Sequence, residues 1–149
     1  MQTIRVTKEF NFEMAHALWN YDGACRNIHG HSYKLFVTLS GVPVKEAGNP
    51  KFGMVIDFHE LKQMVKEPIV DFLDHSLVVY REAEGASLSK VRQMYEKVHV
   101  FDFQPTCENL VLFIVEKIKA MLPRGLKLST VKLYETATSF AEWHSSDNI

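Results

Sequence analysis

Residues 3–15 constrain this chain more than any other stretch: Ile4, Val6, Phe10, Phe12 and Met14 fall on even positions, with polar residues between most of them. That period of two belongs to a strand buried on one face. His16 continues the same parity, so the strand carries an imidazole onto its apolar side. A second strand is expected over residues 33–41, followed by a turn region over 42–53 with Gly, Pro and Asn. The pair should be long and antiparallel.

Asp57 is placed to cap a helix running from Phe58 toward Phe72, with Leu61, Met64 and Val65 on one face and Pro68 kinking or dividing it. Thr106 can cap a second helix bearing Leu110, Ile114, Val115 and Ile118, which ends by Pro123-Arg124-Gly125. A third strand is expected over 128–135 and a short fourth over 140–143. Residues 79–104 are the least legible, a polar run before a weakly helical piece, and read as a mobile excursion. Strands at both ends with helices between them favour an antiparallel α+β sheet in one domain, 1–149. The 149 residues, 46% hydrophobic, suffice for a core.

With 17 basic and 18 acidic residues, the net charge of -1 argues against the broad basic surface that nucleic acid needs. No apolar signal segment or membrane-length window appears, so the expectation is a cytoplasmic protein without a membrane partner. Cys25 and Cys107 are read as free thiols.

The densest polar constellation is Cys25-Arg26-Asn27-Ile28-His29-Gly30-His31. In a strand the i, i+2 spacing sends both imidazoles to one face. If His16 arrives from the neighbouring strand, three imidazoles fill three positions of a tetrahedral zinc ion and leave the fourth open, as in catalytic sites. Ordinary surface or core histidines are the bland alternative. Cupins also use His-x-His, but they need a glutamate where this chain has Tyr33-Lys34-Leu35-Phe36. Cys25 beside the pair is a base or nucleophile, a fourth ligand closing a structural site, or an inert thiol. Asp74-His75 suits proton transfer if it is more than a surface pair. Glu135 ends an apolar strand, where a carboxylate needs water or strong donors. Glu108 is most simply an acid placed by the helix dipole.

Taken in order, Phe12-Glu13-Met14-Ala15-His16, Cys25-x-x-x-His29-Gly30-His31-Ser32, Met54-Val55-Ile56-Asp57-Phe58, Leu73-Asp74-His75, Pro105-Thr106-x-Glu108-Asn109-Leu110 and Glu135-Thr136 span almost the whole chain. This set resembles the 6-pyruvoyl-tetrahydropterin synthase family, most of all its bacterial branch, the 6-carboxy-tetrahydropterin synthases of the queuosine route. The resemblance implies the tunnelling fold, two helices on one face of an antiparallel sheet, and a homohexamer built as a dimer of trimers with active sites between subunits. It also implies 7,8-dihydroneopterin triphosphate as substrate and zinc on His16, His29 and His31. Cys25 would be the base, Asp74 and His75 a proton relay reaching over from an adjacent subunit, and Glu135 the anchor for the pterin edge, with Thr106 or Glu108 in support. Against the family pattern, Val78-Val79-Tyr80-Arg81 replaces an Asn and an acidic residue, and the excursion before Pro105 is long. A pyruvoyl-forming lyase, a pterin binder without turnover and a structural zinc protein are the other classes to test. The tail after Trp143 is expected to be loosely ordered.

Overall fold

The computed structural model describes residues 1–83 and 85–149. Its elements are β1 (Ile4–His16), β2 (His29–Gly41), α1 (Phe58–Val65), β3 (Ser76–Tyr80), α2 (Gly85–Met94), β4 (Val98–Phe101), α3 (Cys107–Lys119), β5 (Lys127–Thr136) and β6 (Ser139–His144). They build one six-stranded sheet in the order β4-β3-β1-β2-β5-β6.

The expected antiparallel sheet is present in β1, β2, β5 and β6. The sequence reading missed its extension beyond β1. There β3 pairs parallel to β1 and β4 parallel to β3, with α2 in the crossover. The described residues of the 79–104 stretch thus carry the end of one strand, a helix and another strand, where the sequence shows only a polar run and a weakly helical piece. Its strands are hard to read because β3 is buried along four consecutive residues, Ser76 to Val79, so no alternation shows.

Phe10, Phe12 and Met14 of β1 meet Leu35, Val37 and Leu39 of β2 on the face that α1 and α3 cover with Leu61, Val65, Leu110, Ile114 and Ile118. Each such side chain contributes about 1.5–3 kcal/mol when withdrawn from water. Asp57 caps α1 by accepting from the His59 amide, and Thr106 caps α3 by accepting from that of Asn109. After Val65 the helix widens into a π turn over Lys66–Asp71. Pro68 lies within it: proline has no N–H for the ladder, and its ring crowds the carbonyl four residues back, so the wider turn accommodates what an α turn would not. The tail is more ordered than expected, since Ser145–Asp147 form a 3-10 turn and Asn148 Nδ2 donates to the His144 carbonyl at 2.8 Å.

On the opposite face the β1 side chains of Arg5, Thr7, Glu9, Asn11 and Glu13 are exposed. Glu9 pairs with Lys34 at 3.2 Å, the Thr7 and Thr38 hydroxyls meet at 2.8 Å, and Phe36, Tyr134 and Phe140 form an aromatic row.

Candidate metal centre

The register of β1 against β2 builds the centre: His16 lies opposite His29, and Met14 opposite His31. Partners in an antiparallel pair share a face, so all three imidazoles point to the helix side at one end of the core. Their ligand atoms lie within 4.8 Å of one another.

Two of the rings have their orientation fixed from behind. His16 Nδ1 is 2.7 Å from the Pro105 carbonyl, and His29 Nδ1 is 2.8 Å from that of Asn27. A carbonyl only accepts, so each Nδ1 carries the hydrogen and each Nε2 presents a lone pair. Those two Nε2 atoms are 3.0 Å apart. Two lone pairs at that distance repel unless a cation or proton lies between them. His31 Nε2 is buried without a hydrogen-bond partner among the described residues. Tetrahedral zinc with bonds of about 2.0–2.1 Å places nitrogens roughly 3.3–3.4 Å apart, so small movements adapt the trio to such an ion. Burial lowers the pKa of His16, against the opposing pull of the Pro105 carbonyl, and so favours the neutral form that binds metal. The residues fit zinc.

Glu135 stands beside the trio, with carboxylate oxygens 3.7 Å from His31 Nε2 and 4.0 Å from His16 Nε2. The β2–β5 register explains it: continued one step past Lys34 opposite Tyr134, it sets Glu135 against Tyr33. Tyr33 is a residue that sequence reasoning missed. Its hydroxyl is buried without a partner among the described residues, and its ring lies edge-on to His31 at 5.7 Å. Burial, with Glu135 and Cys107 nearby, raises its pKa, so the phenol stays protonated. The signal was available, because Tyr33 follows His29 and His31 at the same two-residue spacing.

Cys25 is half-buried in a short 3-10 turn, Ala24–Arg26, and the histidine cluster does not include it. The cluster is thus three imidazoles rather than a closed Cys-His set. Pro105, which holds His16, directly precedes Thr106; Glu108 is exposed on the first turn of α3. The Cys107 thiol is pushed up to about 11 by burial.

Asp74 and His75 form a second polar unit. One Asp74 oxygen accepts from the Glu13 amide at 2.8 Å and the other is 2.9 Å from His75 Nδ1, while the His75 amide donates to the Glu13 carbonyl. Burial by itself would raise the Asp74 carboxyl, but the Glu13 amide and His75 together hold it below the usual carboxylate range. His75 has φ of +59°, in the left-handed region that costs a non-glycine residue about 1–2 kcal/mol, and the bonds to Glu13 fix it there. The His75 side chain is 78% exposed beside a hollow of about 420 Å³ that Ala15, Tyr95 and Lys97 also line. The Asp74 amide also donates to the Val70 carbonyl at 2.8 Å and the Asp74 carbonyl accepts from Lys97 Nζ, and among the described residues none of the bonds of this unit reaches the histidine trio.

The family model described as 6-pyruvoyl tetrahydropterin synthase matches residues 5–146. The 6-carboxy-5,6,7,8-tetrahydropterin synthase of Haemophilus influenzae is 38% identical over 141 residues, spanning 93% of this chain and 97% of its own. The enzyme of that name from Aquifex aeolicus is 32% identical over 161 residues, spanning 93% and 96%. Among solved structures, an uncharacterized protein from Wolinella succinogenes superimposes with a TM-score of 0.78 at 23% identity, over 97% of this chain and 99% of the other. The 6-pyruvoyl tetrahydropterin synthase of Caenorhabditis elegans does so with a TM-score of 0.69 at 24% identity, over 97% of each chain. These structural likenesses are of fold, and they bear out the tunnelling fold expected from the sequence motifs.

Proposed function

The chain belongs to the 6-pyruvoyl tetrahydropterin synthase family, and from that premise we propose that it is a 6-carboxy-5,6,7,8-tetrahydropterin synthase. It would convert 7,8-dihydroneopterin triphosphate to 6-carboxy-tetrahydropterin, acetaldehyde and triphosphate on the way to queuosine. The observation that carries this reading is the 38% identity to the Haemophilus influenzae enzyme over nearly the full length of both chains. The convergent imidazoles with a carboxylate beside them support it.

His16, His29 and His31 are the residues that would hold zinc, which when bound supplies Lewis-acid polarisation of the substrate's side-chain oxygens. Glu135 accepts hydrogen bonds from the amino-pyrimidine edge of the pterin, a donor-rich partner for a carboxylate. Thr106 and Glu108 flank that edge. Cys25 removes a side-chain proton, and Asp74–His75 carries protons. The pairing of Asp74 with His75 Nδ1 supports that role, because it leaves Nε2 to take or deliver a proton. We assign these roles to a single domain over 1–149 that works as a hexamer in the cytoplasm.

The test is mass-spectrometric product analysis after incubating zinc-loaded protein with dihydroneopterin triphosphate, with Cys25→Ala and His29→Ala as controls. Carboxy-tetrahydropterin and acetaldehyde, absent from both controls, are expected. A pyruvoyl product would overturn the carboxy assignment, and pterin bound without turnover would overturn the enzymatic one.

A further inference from the structure

Gln104 closes the 79–104 stretch that departs from the family pattern. Its side-chain amide is used twice by one residue from a distant part of the chain. Gln104 Oε1 accepts from the Trp19 amide at 2.9 Å, and Gln104 Nε2 donates to the Trp19 carbonyl at 2.8 Å. Two antiparallel bonds to the N–H and C=O of one residue resemble the paired bonds of a β-ladder, and they fix both distance and direction. On its other side this loop is tied to the turn that carries Cys25, since the Leu18 amide donates to the Cys25 carbonyl at 2.9 Å. The Trp19 ring lies edge-on to Tyr80 at 5.8 Å.

The backbone of Gln104 is itself anchored. Its carbonyl accepts from the Thr106 amide at 2.8 Å and from Asn109 Nδ2 at 3.0 Å. The next carbonyl, that of Pro105, orients His16. One short segment therefore faces two ways: its side-chain amide holds the loop of Cys25, and its backbone holds the metal-facing imidazole. We infer that Gln104 is a positioning residue that sets Cys25 relative to the histidine trio, an inference that rests on reading Cys25 as the base. Without the Gln104 clamp the loop keeps the Leu18–Cys25 bond, the Trp19–Tyr80 contact and the Asn27 carbonyl on His29 but loses the two bonds that fix Trp19, which leaves the thiol room to shift; a displacement of about 1 Å can cost on the order of 100-fold in rate.

The test uses the full zinc-loaded chain with Gln104→Met, which keeps the length of the side chain but makes neither bond, and Gln104→Glu, which keeps only the acceptor. Three readouts are taken: alkylation of Cys25 by iodoacetamide, followed by mass spectrometry; zinc content; and kcat and KM for dihydroneopterin triphosphate. Buried Cys107 is the internal control for an intact core. In Gln104→Met, Cys25 is expected to alkylate faster while Cys107 stays protected and zinc content stays at the parental level. Its kcat should fall by about 10- to 100-fold with KM within about twofold, as for a group that is misplaced rather than lost from binding. Gln104→Glu should fall between this variant and the parent. Parental alkylation and kcat in Gln104→Met would overturn the inference, as would a rate loss matched by zinc loss. If Cys25→Ala turns over at the parental rate, Cys25 is not the base and the positioning role falls with that reading; the alkylation rates then report only on the clamp.

Discussion

At the residue scale, the centre is three imidazole nitrogens, two of whose lone pairs are aimed by carbonyls behind the rings, and that arrangement has measurable consequences. Replacing His29 or His31 by Ala removes a ligand atom outright and should lower zinc affinity by more than the 10- to 100-fold typical of losing a supporting partner. Metal analysis after dialysis, with circular dichroism to show a retained fold, checks this; full zinc occupancy in either variant would refute the trio as the site. Asp74 leads to a pH prediction. Its carboxyl is held below the usual range in the folded chain, so the unfolded chain binds more protons between the folded value and about 3.9. Its stabilising contribution is therefore complete above the unfolded value and is lost as pH falls through the folded one. Urea midpoints of the parent and Asp74→Asn should differ at pH 7 and converge as the acid limb is descended. Parallel curves would show that the carboxylate adds nothing to stability.

At the scale of elements, α3 both closes the core and begins at the centre, so its two faces should respond differently. Leu110 is fully buried whereas Leu112 is 51% exposed. Leu110→Ala should cost about 2–5 kcal/mol through the cavity it leaves, and Leu112→Ala about 0.5 kcal/mol or less, by chemical denaturation. Thr106→Ala removes a cap and should cost about 1 kcal/mol. Much of this was legible beforehand. The alternation through β1 gave its face and placed His16 there, Asp57 and Thr106 marked two helix starts, and Pro68 marked the irregular turn. The centre was legible because a two-residue spacing fixes a shared face. The β3–β4 edge was not: Ser76 to Val79 is buried throughout, so it carries no period to read. The contact of Gln104 with Trp19 was equally out of reach, since it joins residues far apart in sequence through a side-chain amide that no local pattern announces.

At the scale of the molecule, one chain holds two polar units that its own bonds do not join: the trio with Glu135, and Asp74–His75 hooked onto Glu13. His75 is 78% exposed and constrained by its backbone, a costly arrangement for a side chain that merely meets water. The sheet has an exposed polar face along β1 and two outer strands, β4 and β6, each with one side unpaired among the described residues. The proposed hexamer would account for both features if Asp74–His75 of one subunit completes the site of another. For the proposed hexamer, light scattering should give about six times 17.2 kDa. The more decisive measurement is complementation between Cys25→Ala and His75→Ala chains, each inactive as a pure assembly under the proposed roles. In mixed hexamers formed by co-expression, a site that takes its thiol from one chain and its relay from the next is intact about a quarter of the time at equal input. Recovered activity near that fraction of the parental rate would establish sites shared between subunits. Mixed hexamers that stay inactive would place Cys25 and His75 in the same chain's site, and the exposure of His75 would then need another cause.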